Sequence, residues 1–326
     1  MATYAGVDLG ATNIRAVVGD ETGRVVASRR TGTPQGPNGI TVTEAVLDAL
    51  RGAADEADVD PTRIAAVGIG SIGPLDLAEG AIDNPANLPD TIDRIPLTGP
   101  VGELVDSDDI YLHNDTTAGV IGERFYSDRN PDDMIYLTIS SGIGAGVCVD
   151  GEVVGGWDGN AGEVGHMTVD PQGFMTCGCG IDGHWEAYCS GNNIFRYAQE
   201  LHDRDPVETS MPLESADFSS ADVFAHAEEG DDFAEYVLDQ MTQWNVVATA
   251  NMIHAFAPLV IYVGGAVTLN NPDRILDPIR ERLDAVVFGN VPDVQLTTLG
   301  DDVVVKGALA SAMTAGTGDR SRVRSA

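Results

Sequence analysis

Apolar positions along the chain fall into short runs separated by glycine-bearing turns. Residues 4–7 form a strand pattern, Asp8-Leu9-Gly10-Ala11-Thr12-Asn13 interrupts it, and residues 14–18 resume it. Glu21-Thr22-Gly23 reads as a hairpin turn into a third strand over 25–28. Val42, Ala45, Val46 and Ala49 recur at helical spacing and predict a helix over 41–57. A buried strand over 64–69 breaks at Gly70-Ser71-Ile72-Gly73-Pro74, and 83–89 reads as an Asn- and Pro-rich loop. The pattern then predicts a short helix at 100–105, a strand at 110–112 and a helix from about 116 to 125. Strands follow at 134–139, 147–149 and 152–154. Helices are expected over 185–202, 221–229, 231–257, 272–283 and 303–314, with strands at 259–263 and 294–298. Residues 203–220 read as an acidic loop, and the Arg-bearing tail as frayed.

The opening arrangement occurs twice. Strand, glycine turn with a hydroxyl, strand and hairpin run from Tyr4, and again from Met134 through Ser140-Ser141-Gly142-Ile143-Gly144-Ala145-Gly146. Two copies point to an α/β protein of two related halves, gripping phosphates from opposite sides with a cleft between them. The expected domains are 1–115 joined by the C-terminal helix 301–316, and 116–300 carrying a metal loop at 163–186, with 317–326 as the tail. Strand–turn–strand differs from a dinucleotide fingerprint, which needs a helix after its glycines. Backbone N–H groups from Gly10 to Asn13 can form a nest for phosphate oxygens, with Asp8 beside it for magnesium or its water. A tight hairpin closed by Asp and Asn is the competing reading. Asn114-Asp115 sits just past a strand end, where α/β enzymes place working side chains; the alternative is that Asp115 only caps the next helix. Asn87 is placed to hydrogen-bond a polyol or is a plain loop asparagine.

Charge narrows the partners. The 326 residues, 43% hydrophobic, suffice for two domains, yet 18 basic residues face 51 acidic ones for a net −33, and Lys306 is the only lysine. Such a coat repels nucleic acid and anionic lipid but not a neutral substrate. Spread through the chain, it suits a salt-accumulating halophile, because molar salt shortens the Debye length to about 3 Å and screens the self-repulsion. Four cysteines, Cys148, Cys177, Cys179 and Cys189, are too few for a disulfide scaffold. With no signal-peptide pattern and no apolar run near 20 residues, a cytoplasmic protein is expected.

Between Gly156 and Glu186 the chain carries Glu163, His166, Cys177, Cys179, His184 and Glu186. His166, Cys177, Cys179 and His184 make a plausible four-ligand zinc set, since thiolate and imidazole both suit a tetrahedral ion. Four protein ligands leave no open position, so the site reads as structural, one Zn2+ per chain fixing Glu163 and Glu186. A glycine-rich loop with incidental cysteines is the alternative.

These motifs resemble the ROK family of sugar kinases and related repressors, over about residues 3–316. Asp8-Leu9-Gly10-Ala11-Thr12-Asn13 looks like the family's first phosphate motif. Ser141-Gly142-Ile143-Gly144-Ala145-Gly146 looks like the second, with serine where threonine is usual. Ala161-Gly162-Glu163-Val164-Gly165-His166, followed by Cys177-Gly178-Cys179-Gly180-Ile181-Asp182-Gly183-His184-Trp185-Glu186, is the family signature, with His184 where a third cysteine is common. Asn87-Leu88-Pro89-Asp90-Thr91 replaces the usual Asn-Leu-Pro-Gly-Trp, and Gly264-Gly265 corresponds to the adenosine-side motif.

The resemblance implies a two-domain actin-like ATPase (ribonuclease H-like) fold and transfer of the γ-phosphoryl group of ATP to the 6-hydroxyl of glucose. By resemblance Asp115 is the catalytic base. Asn87, Asn114, Asp115, Glu163, His166 and Glu186 bind the sugar. Asp8, Gly10, Thr12, Ser141, Gly142, Gly264 and Gly265 bind ATP and Mg2+. Fructose, mannose and N-acetylated hexosamines such as N-acetylmannosamine remain alternative substrates, and a non-catalytic sugar sensor is the alternative class. The repressors' added DNA-binding module is not expected, no nucleic acid or membrane partner is expected, a homodimer or homotetramer is, and the expected source is a halophilic archaeon.

Overall fold

The computed structural model describes residues 2–85 and 87–323. Elements follow in chain order: β1 Thr3–Leu9, β2 Asn13–Gly19, β3 Val25–Gly32, α1 Gly39–Glu56, β4 Ile64–Ser71, β5 Leu75–Asp76, β6 Ala81–Asp83, β7 Arg94–Pro96, α2 Thr98–Val105, β8 Ile110–Asn114 and α3 Asp115–Tyr126. Then come β9 Met134–Ile139, β10 Ile143–Val149, β11 Glu152–Val153, α4 Glu186–Cys189, α5 Ile194–Arg204, α6 Ser220–Glu228, α7 Asp232–Phe256, β12 Val260–Gly264, α8 Ala266–Asn270, α9 Pro272–Leu283, β13 Asp293–Leu296 and α10 Val303–Thr314.

Two compact units emerge. One holds the described residues within Met1–Tyr136, Gly146–Gly162 and Thr298–Ala326; the other holds Leu137–Ala145 and Glu163–Thr297. Two five-stranded sheets share one strand order, β3-β2-β1-β4-β8 and β11-β10-β9-β12-β13. In the first, β1, β2 and β3 are antiparallel neighbours while β4 and β8 run parallel to β1. In the second, β10 and β11 are antiparallel and β12 and β13 parallel.

The period of two along a strand explains why β1 and β2 read as continuous apolar runs. Ala5, Val7, Leu9, Ile14, Ala16 and Val18 pack into one cluster with α1 and α2, whereas Tyr4 and Val17 point to the other face, with α3 and α10. Glycine lets α10 lie flush on that second face. A Cβ at Gly68 would collide with the Ala308 carbonyl, and one at Gly307 with the Ala118 carbonyl. The α3–α10 contact seats α3 in the first unit, so the sequence boundary at residue 115 falls inside that unit rather than at its edge.

Three local expectations change. Residues 75–96 carry a small three-stranded sheet, β5-β6-β7, whose strands are too short to show a period. The single helix expected over 185–202 is two, because Gly191 and Asn192 turn their N–H groups to the carbonyls of Ser140 and Ser141. The tail is not frayed through residue 323. Buried Arg124 donates to the Thr317, Gly151 and Pro131 carbonyls, the Arg320 backbone donates to Asn130, and Arg322 pairs with Glu152. Residues 324–326 lie outside the described residues. No described helix is long and apolar enough to cross a membrane.

Candidate active site and metal centre

The first unit collects its candidates at the carboxyl ends of parallel strands. Leu9, Ser71 and Asn114 stand side by side across β1, β4 and β8, which brings Asp8 and Asp115 to one edge of the sheet. Desolvation at the end of β1 pushes the Asp8 carboxyl up to about 7; the Asp115 charge adds to this, and Arg15 and Arg30 work against it.

The N-cap of α3 is Asn114, whose Oδ1 accepts from Thr116 N–H at 3.0 Å and Thr116 Oγ1 at 2.9 Å. Asp115 is the first helical residue and accepts a second bond from Thr116 N–H at 2.7 Å. The capping role weighed for Asp115 therefore belongs to its neighbour.

The turn after β1 is pinned by Gly10 N–H to Asn13 C=O at 2.9 Å, Thr33 Oγ1 to Gly10 C=O at 2.7 Å, and Thr33 N–H to Thr12 C=O at 2.9 Å. Gly10 N–H is thus engaged in closing the hairpin. Asn87 is exposed on the loop between β6 and β7.

The second unit holds the other set. The turn after β9 carries Ser141 and Gly142, and Ile143 N–H donates to Glu186 Oε2 at 2.8 Å. Glu186 is close enough for its charge to act on Glu163, whose Oε2 lies 3.9 Å from His166 Nε2. Gly265 has φ +87°, and a Cβ there would strike the Ile139 carbonyl just before the same turn, so glycine is required.

Ligand atoms of His166, Cys177, Cys179 and His184 all lie within 4.8 Å of one another. His166 Nδ1 is 3.3 Å from His184 Nδ1 and 3.8 Å from Cys177 Sγ, and Cys179 Sγ is 3.3 Å from His184 Nδ1. Bonds of about 2.0–2.3 Å in a tetrahedron give edges of roughly 3.3–3.8 Å, so the donor set and its spacing fit zinc. The loop also has a scaffold of its own. Buried Asp170 accepts from Gln172 and Phe174 N–H, each at 2.9 Å, and from Tyr188 O–H at 2.7 Å. Cys189 is buried, its thiol pushed well up by burial, and stands outside the metal set.

Sequence reasoning missed a cavity of about 430 Å³ between α6 and α8, lined among others by Ser220, Phe224, Ala225, Val267 and Asn270. A helix over 221–229 was expected from the sequence, but the short helix α8 after Gly265 was not.

The ROK family profile matches residues 4–315. A glucokinase of Pyrobaculum calidifontis is 34% identical over 312 residues, covering 96% of this chain and 95% of that protein. A ROK hexokinase structure from Thermus thermophilus matches with a TM-score of 0.79 at 32% identity, over 95% of this chain and 97% of the other. A ROK family glucokinase from Streptomyces griseus, solved with glucose and AMPPNP, matches with a TM-score of 0.74 at 30% identity, over 95% and 99%. With a profile spanning nearly its whole length, the chain belongs to the ROK family. Within that family it is an ATP-dependent sugar kinase.

A pH prediction follows from Asp8. The unfolded carboxyl ionises near 3.8 and the folded one at about 7, so between these values the folded state binds more protons and stability falls as pH rises. Without magnesium, Asp8→Asn should leave stability unchanged near pH 4 and raise it progressively to a plateau above pH 7. At about 1.4 kcal/mol per pH unit, the gain has an upper bound of about 4 kcal/mol. Denaturant unfolding of both proteins across pH 4–8 in molar KCl checks this; a gain independent of pH contradicts it.

Proposed function

We propose that the protein is a glucokinase, transferring the γ-phosphoryl group of ATP to the 6-hydroxyl of glucose. The observation that carries this is Asp115, a carboxylate at the start of a helix and the end of β8, beside Asp8 and a glycine turn. Asp115 accepts the 6-hydroxyl proton as that oxygen attacks the γ-phosphorus. Asn87, Asn114, Glu163, His166 and Glu186 orient sugar hydroxyls, and the facing of His166 Nε2 toward Glu163 leaves Nδ1 for zinc. Gly10, whose N–H closes the hairpin, lines the first phosphate turn, Thr12, Ser141 and Gly142 cradle phosphate, and the cavity beside Gly264–Gly265 takes the adenine. Magnesium, held near Asp8, neutralises phosphate charge when bound. Zinc at His166, Cys177, Cys179 and His184 is structural. The recurring strand order supports an actin-like ATPase fold. Trp157 and Phe288, each 95% exposed, are side chains that a homodimer or homotetramer interface would cover.

A panel of glucose, fructose, mannose and 2-acetamido hexoses with ATP and Mg2+ in high salt tests the substrate. Glucose should give the largest kcat/KM. A preference for fructose or an acetamido sugar refutes the substrate, and no turnover with any hexose favours a sugar sensor.

The acidic coat further supports a halophilic, archaeal source. The net −33 charge predicts a melting temperature that rises steeply from dilute buffer to molar KCl. Thermal melts over a salt series check this, and full stability in dilute buffer contradicts it.

A further inference from the structure

The second phosphate turn is held from one side by α4, a helix of 4 residues. At the start of α4, Glu186 Oε2 accepts from Ile143 N–H at 2.8 Å. Just past its end, Gly191 N–H donates to Ser140 C=O at 2.7 Å and Asn192 N–H to Ser141 C=O at 3.2 Å. Ser140 N–H closes the turn on Gly142 C=O at 2.8 Å. The turn held in this way carries the proposed phosphate residues Ser141 and Gly142. Glu186 is itself anchored, its carbonyl accepting from Asn193 Nδ2 at 3.2 Å while the same amide donates to Ser190 Oγ at 2.8 Å. A Cβ on Gly142 would stand 2.8 Å from Glu186 Oε2, so turn and carboxylate are in close contact there.

We propose that Glu186 is a positioning residue for the nucleotide as well as a sugar ligand: Oε2 sets the second phosphate turn through Ile143 N–H while Oε1 serves a sugar hydroxyl. This rests on the kinase reading above. One carboxylate then links the two substrates. Ordering of Glu186 by sugar steadies the turn that grips phosphate, and by linkage the nucleotide improves sugar affinity by the same factor.

The test is sugar-free binding of Mg2+·AMPPNP by calorimetry in molar KCl, for wild type and Glu186→Ala, Glu186→Asp and Glu186→Gln. Losing a hydrogen bond to a charged group should weaken nucleotide binding about tenfold or more in the alanine variant. Aspartate keeps the charge but is one methylene too short for Ile143 N–H, and should weaken binding similarly. Glutamine keeps an acceptor oxygen and should stay within about threefold of wild type. If the alanine protein does not fold, the contrast between aspartate and glutamine decides. Wild-type nucleotide affinity in the aspartate variant, or equal losses in the aspartate and glutamine variants, overturns the proposal. Wild type failing to bind nucleotide is a separate result, which overturns the kinase reading and this inference with it.

Discussion

Asp115→Asn should lower turnover with glucose by about 10²–10⁴, the range expected when a positioned proton acceptor is removed. The fold should barely notice. Asn114, not Asp115, caps α3, and the asparagine side chain still offers an oxygen to Thr116 N–H, so stability should change by less than about 1 kcal/mol. Glucose affinity, read by calorimetry without nucleotide, should change far less than kcat. One further signature comes from Asp8. Losing the charge at 115 removes one of the causes that raise the Asp8 carboxyl, so its titration should move down from about 7. Near-normal turnover in this variant would reduce Asp115 to a binding group.

His184→Ala should remove most of the bound zinc and cost about a hundredfold in rate, the penalty of misplacing a site by about 1 Å. His184 Nδ1 is 3.3 Å from both His166 Nδ1 and Cys179 Sγ, so its loss opens one vertex of the tetrahedron. Two residues later stands Glu186, and eleven residues before Cys177 stands His166, both in the proposed sugar set. The Asp170–Tyr188 scaffold remains, so the unit should stay folded and the defect should be local. His184→Cys restores a fourth soft ligand and should keep both zinc and most activity. Metal analysis of the three proteins decides: full zinc in the alanine variant removes His184 from the site, and a metal-free, active wild type removes the site.

Much of the architecture was legible in the sequence because its signals are local. Helices 272–283 and 303–314 match their predicted spans, since a proline start or an acidic run marks where each begins. The repeated strand–turn–strand unit pointed to two related halves, and the sheets share one strand order. What the sequence hides is short or long-range. Strands of two or three residues, β5 to β7, carry no period. The break at Ser190–Asn193 depends on carbonyls fifty-one residues away, and Glu186 meets Ile143 across forty-three. Chemistry-bearing residues were visible because glycine turns and paired ligands announce them. Which of them touch was not, and neither was the cap being Asn114 nor the raised carboxyl of Asp8.

The central claim is phosphoryl transfer to the 6-hydroxyl of glucose with Asp115 as base. Incubating wild type and Asp115→Asn with uniformly 13C-labelled glucose, ATP and Mg2+ in molar KCl, and following 31P–13C coupling by NMR, tests it most directly. The account predicts that wild type gives phosphate coupled to C6 with stoichiometric ADP, while the variant gives the same product at least a hundredfold more slowly. Phosphate on another carbon, ADP without sugar phosphate, or equal rates for the two proteins would contradict it.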